Sequence, residues 1–312
     1  MNYGGKRFYS LNHYLRQTFG TKVIKISLDA GLTCPNRDGT LSYDGCIFCG
    51  AGSGEYAFSG RSISEQFALY RQSLRKKWPS AKYIAYFQAY TNTYGEIGQL
   101  RVLYEEAISM PDVVGISIAT RPDCLGAEVL DLLHEISQKT KLFVELGLQT
   151  SNPKTAKLIN RCYDNDLFLE AVKNLKSIGA NVISHIIFGL PHETKEDMLE
   201  SVRYAASAGI DGIKLHELFV IEGTKLADMY NDGLFDTLKL DEYVDIVVMA
   251  LELLPSNIVI HRLTGDAPRR LLVAPLYSRN KFNLLNAIDA KLVKNGTFQS
   301  KILCYKNSCE EC

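Results

Sequence analysis

VIKISLDAGLTCPNRDGTLSYDGCIFCG, residues Val23–Gly50, joins two signals. Val23–Leu28 is a short apolar, β-branched run, the pattern of a strand buried on both faces. The turn-rich loop behind it carries three of the chain's eight cysteines, Cys34, Cys46 and Cys49, spaced C-x11-C-x2-C. The C-x2-C pair lets two thiolates meet one metal centre from a tight turn, and Cys34 reaches in from the strand end. A structural zinc site wants four ligands, often as two short pairs. The next candidates along the chain, His13 and Cys124, lie well outside the loop. An iron–sulfur cubane takes one thiolate per iron, so three thiolates leave one iron open. An open metal position marks a catalytic centre.

The strand-then-loop rhythm recurs. Strands are expected at Tyr83–Gln88, Val113–Ile118, Leu142–Leu148, Val182–Phe188, Ile210–His216 and Ile258–His261. Amphipathic helices are expected between them. One puts Ile63, Phe67, Leu74 and Trp78 on a single face behind a Ser62/Glu65 capping box; Thr194 and Asp197 cap another. Strands alternating with helices argue for a parallel sheet with helical crossovers. A unit of roughly 30 residues repeated along the chain favours a partial or near-complete (β/α) barrel over a doubly wound sheet. The barrel is expected over residues 23–265, with an N-terminal extension at 1–22 and a C-terminal helical extension at 266–312 that ends in a cysteine-containing tail. Most unusual residues fall just after strands, the rim that carries active sites in barrels.

The 312 residues are 46% hydrophobic and 22% charged, with formal net charge zero. That composition suits a globular protein with a full core and supplies no global pull toward nucleic acid. No apolar run approaches the ~18 residues of a membrane span, and the first twenty residues lack the apolar core of a signal peptide. A cytoplasmic location is expected, without membrane attachment. There clustered thiols serve metal binding or chemistry more often than disulfides.

With Phe48 before the last cysteine, the strand, loop and barrel together resemble the radical S-adenosylmethionine (SAM) superfamily. Its usual spacing is C-x3-C-x2-C. The long first gap here resembles the branch that holds the elongator catalytic subunit and the bacterial YhcC/YtqA type. The resemblance implies a [4Fe-4S] cluster on Cys34, Cys46 and Cys49 whose open iron chelates SAM. It also implies a reducing electron donor such as flavodoxin or ferredoxin. Further residues are implied as SAM contacts. YFQAYTNTY, Tyr86–Tyr94, matches the YhcC/YtqA type and offers Gln88, Tyr90 and Asn92 as a cradle for the methionyl part. Ser117 takes a strand-end place that is acidic in some relatives. ELGLQTSNPKTAKLINR, Glu145–Arg161, resembles the oxygen-independent coproporphyrinogen oxidase branch: Gln149 would pair with ribose hydroxyls and Arg161 with the carboxylate, and Glu145 projects near the same mouth. His185 stands where an acidic SAM contact is common; a core histidine fits it equally.

Arg121, Lys214, His216 and Arg262 sit at strand ends as candidates for the substrate side. For Arg121 an ion pair with Asp123 is the alternative. The resemblance associates this type with the C5 side chain of wobble uridine in tRNA, and 17 tyrosines make stacking on a splayed base easy. Short basic runs at Arg75–Lys77 and Arg269–Arg270, with Lys281, Lys291 and Lys294, are either solvated faces or an RNA grip. Two other readings stay open: a radical SAM enzyme for a small metabolite or tetrapyrrole, and a non-catalytic zinc-binding module. Cys304, Cys309 and Cys312 form a C-x4-C-x2-C set that either holds a second metal or is a loose tail.

Overall fold

The structure is a computed structural model; it describes residues 3–50 and 59–303, so the cysteines at 304, 309 and 312 lie outside the described residues. The chain begins with α1 (Leu11–Phe19), capped by the Ser10 side chain and ended by Gly20 at a φ of 70°, a left-handed turn that suits glycine. Strands and helices then alternate: β1 (Val23–Leu28), α2 (Ile63–Arg75), β2 (Lys82–Phe87), α3 (Ile97–Ser109), β3 (Val113–Thr120), α4 (Ala127–Lys139) and β4 (Lys141–Gln149). They continue with α5 (Pro153–Leu158), α6 (Asn165–Ser177), β5 (Asn181–Phe188), α7 (Lys195–Ser207) and β6 (Gly212–Glu217). The remainder is β7 (Val220–Ile221), α8 (Lys225–Asn231), α9 (Leu240–Leu253), β8 (Val259–Arg262), β9 (Leu272–Ala274) and α10 (Lys281–Lys294).

Seven strands form one parallel sheet in the order β1-β2-β3-β4-β5-β6-β8. The sheet cannot be flat. Lys25 on β1 and Lys214 on β6 both reach the carboxylate of Glu145 on β4. At ~4.8 Å per strand, β1 and β6 would stand ~24 Å apart in a flat sheet. Curling into an open barrel brings them together, and β1 and β8 remain its two edges. The N-terminal segment covers one edge: Ile260 N donates to Tyr9 O at 2.8 Å and Ser10 bridges Ile260, so β8 does not offer an open template for pairing. The helices pack an apolar layer outside the sheet, built from residues such as Leu132, Val144, Val172 and Val247. Inside the curl, Val23, Ile84, Phe143 and Ile183 form an apolar floor with Leu15, and Lys25, Tyr86, Glu145 and His185 stand two residues further along the same strands.

The structure departs from the sequence reading in its details. Helix α2 stops at Arg75, so Trp78 lies past its end and is partly exposed. The ribbon of β7 against β9, antiparallel, was not expected. Lys281 and Lys291 form half-exposed ion pairs with Asp266 and Asp245. Among the described residues no helix is long and apolar enough to cross a membrane.

Candidate functional site

The cysteine loop is folded by its own backbone and then pinned to the far wall. Arg37 N and Asp38 N donate to Cys34 O, and Cys49 N donates to Cys46 O at 2.9 Å, closing the tight turn of the C-x2-C pair. Asn160, at a φ of 54°, reaches from the end of α5. Its side-chain amide donates to Gly45 O at 2.8 Å and Ser42 Oγ at 3.3 Å. Asn36 Nδ2 returns a bond to Asn160 O at 2.6 Å and lies 3.6 Å from Cys46 Sγ. Ile47 exchanges backbone bonds with Ile159 and Leu226.

All three thiols line one cavity of about 270 Å³ at the strand ends. Burial, with the neighbouring thiol of Cys49, pushes Cys46 up to about 12. Burial also raises Cys49, against the pull of Arg37. Thiolates in such a place need a cationic partner, and iron supplies one. Among the described residues no three His, Cys, Asp or Glu side chains converge on a point that would hold a single ion. The three thiols share this cavity, a donor set that fits a cluster with one iron left open.

The rim candidates divide. Gln88, Tyr90 and Gln149 line the cavity. Ser27 Oγ donates to Gln88 Oε1 at 2.9 Å. Tyr90 and Gln149 both take positive φ, 60° and 65°, which turns them inward. Gly147 makes room for Gln149: a Cβ there would stand 2.7 Å from Gln149 Nε2. Asn92 and Ser117 do not line the cavity. Asn92 Nδ2 ties the ends of β2 and β3, to Phe87 O at 3.1 Å and Ala119 O at 3.0 Å. Ser117 donates to Glu145. Arg161 lines the cavity, yet its guanidinium is engaged by the carbonyls of Leu148, Thr150 and Tyr163 and by Asn165 Oδ1, at 2.7–3.1 Å. In this arrangement it holds the β4–α5 turn. Arg121 makes a fork with Asp123, at 2.9 and 2.6 Å. The ring of Tyr163 lies 4.9 Å from the Arg121 guanidinium and 4.5 Å from that of Arg161.

Deeper in, Glu145 organises the barrel interior. Its side chain is 0% exposed. It accepts from Lys25 Nζ at 2.5 Å, from Lys214, from Ser117 Oγ at 2.9 Å and from Tyr86 OH at 2.7 Å, and meets His185 Nε2 at 2.9 Å. Burial alone would raise this carboxyl; Lys214 and Lys25 hold it well below the usual range. Burial lowers Lys214 to about 7 against the pull of Glu145. Burial and Lys214 lower His185 to about 4. His216 is also held neutral by burial, and its ring lies 5.6 Å from that of His185. Lys214, His216 and Arg262 all line the cavity. Lys25, Tyr86, Asn160 and Tyr163 were missed from sequence. A lysine inside the buried run VIKISL was the one available signal, since an unpaired charge there is costly.

A seven-stranded open parallel barrel with three thiols at its catalytic rim defines a class. Residues 34–205 match the radical SAM superfamily and residues 210–294 its C-terminal domain, and the chain belongs to that superfamily. It is 45% identical over 298 residues to protein YtqA of Bacillus subtilis (strain 168), covering 95% of this chain and 92% of that one. It is 27% identical over 197 residues to a tRNA uridine(34) acetyltransferase of Methanocaldococcus jannaschii, 61% of this chain and 35% of the relative. The solved structure of archaeal Methanocaldococcus infernus Elp3 shares the fold, with a TM-score of 0.68 at 20% identity, over 89% of this chain and 64% of that one. Membership implies a [4Fe-4S] cluster and SAM.

Proposed function

We propose that this chain is a radical SAM enzyme that modifies the C5 side chain of the wobble uridine of tRNA. Cys34, Cys46 and Cys49 hold the cluster. Gln88, Tyr90 and Gln149 cradle SAM, and Arg161 keeps the turn that carries Gln149 in place. When bound, this cofactor pair supplies hydrogen-atom abstraction. The protein's own work is to position the groups and exclude water. The observation that carries the tRNA reading is the similarity to a tRNA uridine(34) acetyltransferase, 27% identical over 197 residues and 61% of this chain.

Nucleoside mass spectrometry of tRNA from a deletion strain and its complemented parent tests the reading. The expected result is loss of one wobble-uridine species, restored by the wild-type gene and not by Cys46→Ala. An unchanged profile removes the tRNA substrate. Metal analysis of anaerobically purified protein decides between cluster and zinc: about four irons per chain are expected, and a single zinc without iron would return the site to a structural module.

A further inference from the structure

Arg37 ties the cysteine loop together from within the cavity. It follows Cys34 by three residues, and its backbone N–H donates to Cys34 O at 2.8 Å. Its side chain crosses to the far end of the motif, where Nη1 donates to Cys49 O at 3.0 Å and lies 3.4 Å from Gly50 O. On the way its Cγ passes Gly45, the residue before Cys46, where an added Cβ would stand 3.2 Å from it. The guanidinium lies 5.6 Å from the centre of the Tyr90 ring. Arg37 lines the cavity with the three cysteines. One residue therefore contacts the loop beside each of the three thiols.

The charge of Arg37 is left standing. Its hydrogen bonds go to neutral carbonyls. Among the described residues no carboxylate pairs with it. Arg121, whose charge reaches Cys46, is instead forked onto Asp123 at 2.9 and 2.6 Å. Burial raises the Cys49 thiol, and Arg37 pulls it back. A cluster on three thiolates is anionic, and an electron taken up adds one more negative charge. The potentials of such clusters follow the net charge and hydrogen bonding around the sulfurs. A half-buried cation acts on them with less screening than one in water.

We propose that Arg37 sets the reduction potential of the cluster: its unanswered positive charge beside Cys49 favours the reduced state and eases the entry of one electron from an external one-electron reductant. No bond forms or breaks in that step; the cluster gains the electron that the reductant loses. Arg37 acts through the cluster and not on the substrate. The inference rests on Cys34, Cys46 and Cys49 holding that cluster.

The test is a redox titration of the full-length, cluster-loaded protein without SAM. Dithionite and mediator dyes set the potential, and electron paramagnetic resonance reads the reduced cluster. Arg37→Gln should shift the reduction equilibrium about tenfold toward the oxidised state, a midpoint lower by ~59 mV for one electron, with about four irons retained. Arg37→Lys keeps the charge and should titrate with wild type. A merely structural role changes iron content and leaves the midpoint in place. Should Arg37→Gln load poorly, Arg37→Met, also neutral and with a stem that still packs on Gly45, carries the comparison. The proposal is overturned by an unchanged midpoint in the neutral variants, by an equal fall in Arg37→Lys, or by loss of the cluster from both neutral variants, which makes Arg37 a clamp. Weakened SAM binding in equilibrium dialysis with the midpoint unchanged assigns Arg37 to the cofactor and overturns it equally. Wild-type protein without iron, or a cluster that persists in Cys46→Ala, fails the cluster assignment itself; an unshifted midpoint on an intact cluster fails this inference alone.

Discussion

Glu145→Gln is the sharpest perturbation of the barrel interior, because the amide keeps the shape and removes the charge. Lys25 and Lys214, whose side chains are 16% and 5% exposed, then share a pocket without a counter-charge. Removing one partner of a buried ion pair costs about 3–5 kcal/mol. The lower end applies here. Lys214 already sits at about 7, so once the carboxylate is gone it sheds its proton cheaply at neutral pH, and Lys25 keeps some contact with water. With an unfolding entropy of ~2 cal/mol/K per residue over 312 residues, about 3 kcal/mol lowers the unfolding temperature by about 4–5 °C. The pH dependence checks the cause. In the variant the folded-state value of Lys214 falls below about 7, because burial still lowers it and Glu145 no longer raises it. Below pH 7 the folded wild type binds a proton that the folded variant refuses. The deficit of the variant should therefore grow as pH falls, by up to about 1.4 kcal/mol per unit. Thermal unfolding from pH 8 to 5.5 reads both effects. Adding Lys214→Met should recover at least half of the loss. A variant as stable as wild type, or a deficit that is flat with pH and not recovered in the double variant, would refute the reasoning.

His185 should make the protein acid-sensitive. Burial, then Lys214, hold it at about 4 against an ordinary 6.5, with Glu145, Arg262 and His216 also facing it. The unfolded chain therefore takes up the proton first as pH falls. Stability that is intact above pH 6.5 is lost between 6.5 and 4, up to about 3 kcal/mol from this residue. Denaturant titrations across that range should show a shallower slope in His185→Gln, and an identical slope would count against the assignment. Asn160→Ala removes the amide bonds to Gly45 and Ser42 and should loosen the cysteine loop. Loss of iron to a chelator should become several-fold faster with the circular dichroism unchanged; equal retention would show that the loop holds itself.

The strands were legible because they are buried on both faces and read as continuous apolar runs. Val182–Phe188 was expected and Asn181–Phe188 is found; Ile258–His261 was expected and Val259–Arg262 is found. The small displacements arise where hydrogen bonding, not hydrophobicity, ends a strand. The β7–β9 ribbon was illegible for the opposite reason. Each strand is only two or three residues long and is formed by tertiary pairing under the cysteine loop, where Val220 and Ala274 pack with Ile47.

The site was legible by residue type but not by role. A strand-end arginine is visible in the sequence. Whether its donors face a ligand or the chain's own carbonyls depends on where the next turn goes. Arg161 N donates to Ala156 O, which folds the chain back so that the guanidinium meets Leu148 O, Thr150 O and Tyr163 O. A planar donor set with that many carbonyls around it is nearly satisfied. Its bonds to Leu148 O and Thr150 O bracket Gln149, whose φ is 65°. Glu145 makes the same point from the other side. Its burial was expected to need a partner, and the partners come from β1, β2, β3, β5 and β6 at once. Only a curled sheet lets those five strands reach one carboxylate, so the charge at the centre and the open barrel around it are a single feature of the fold.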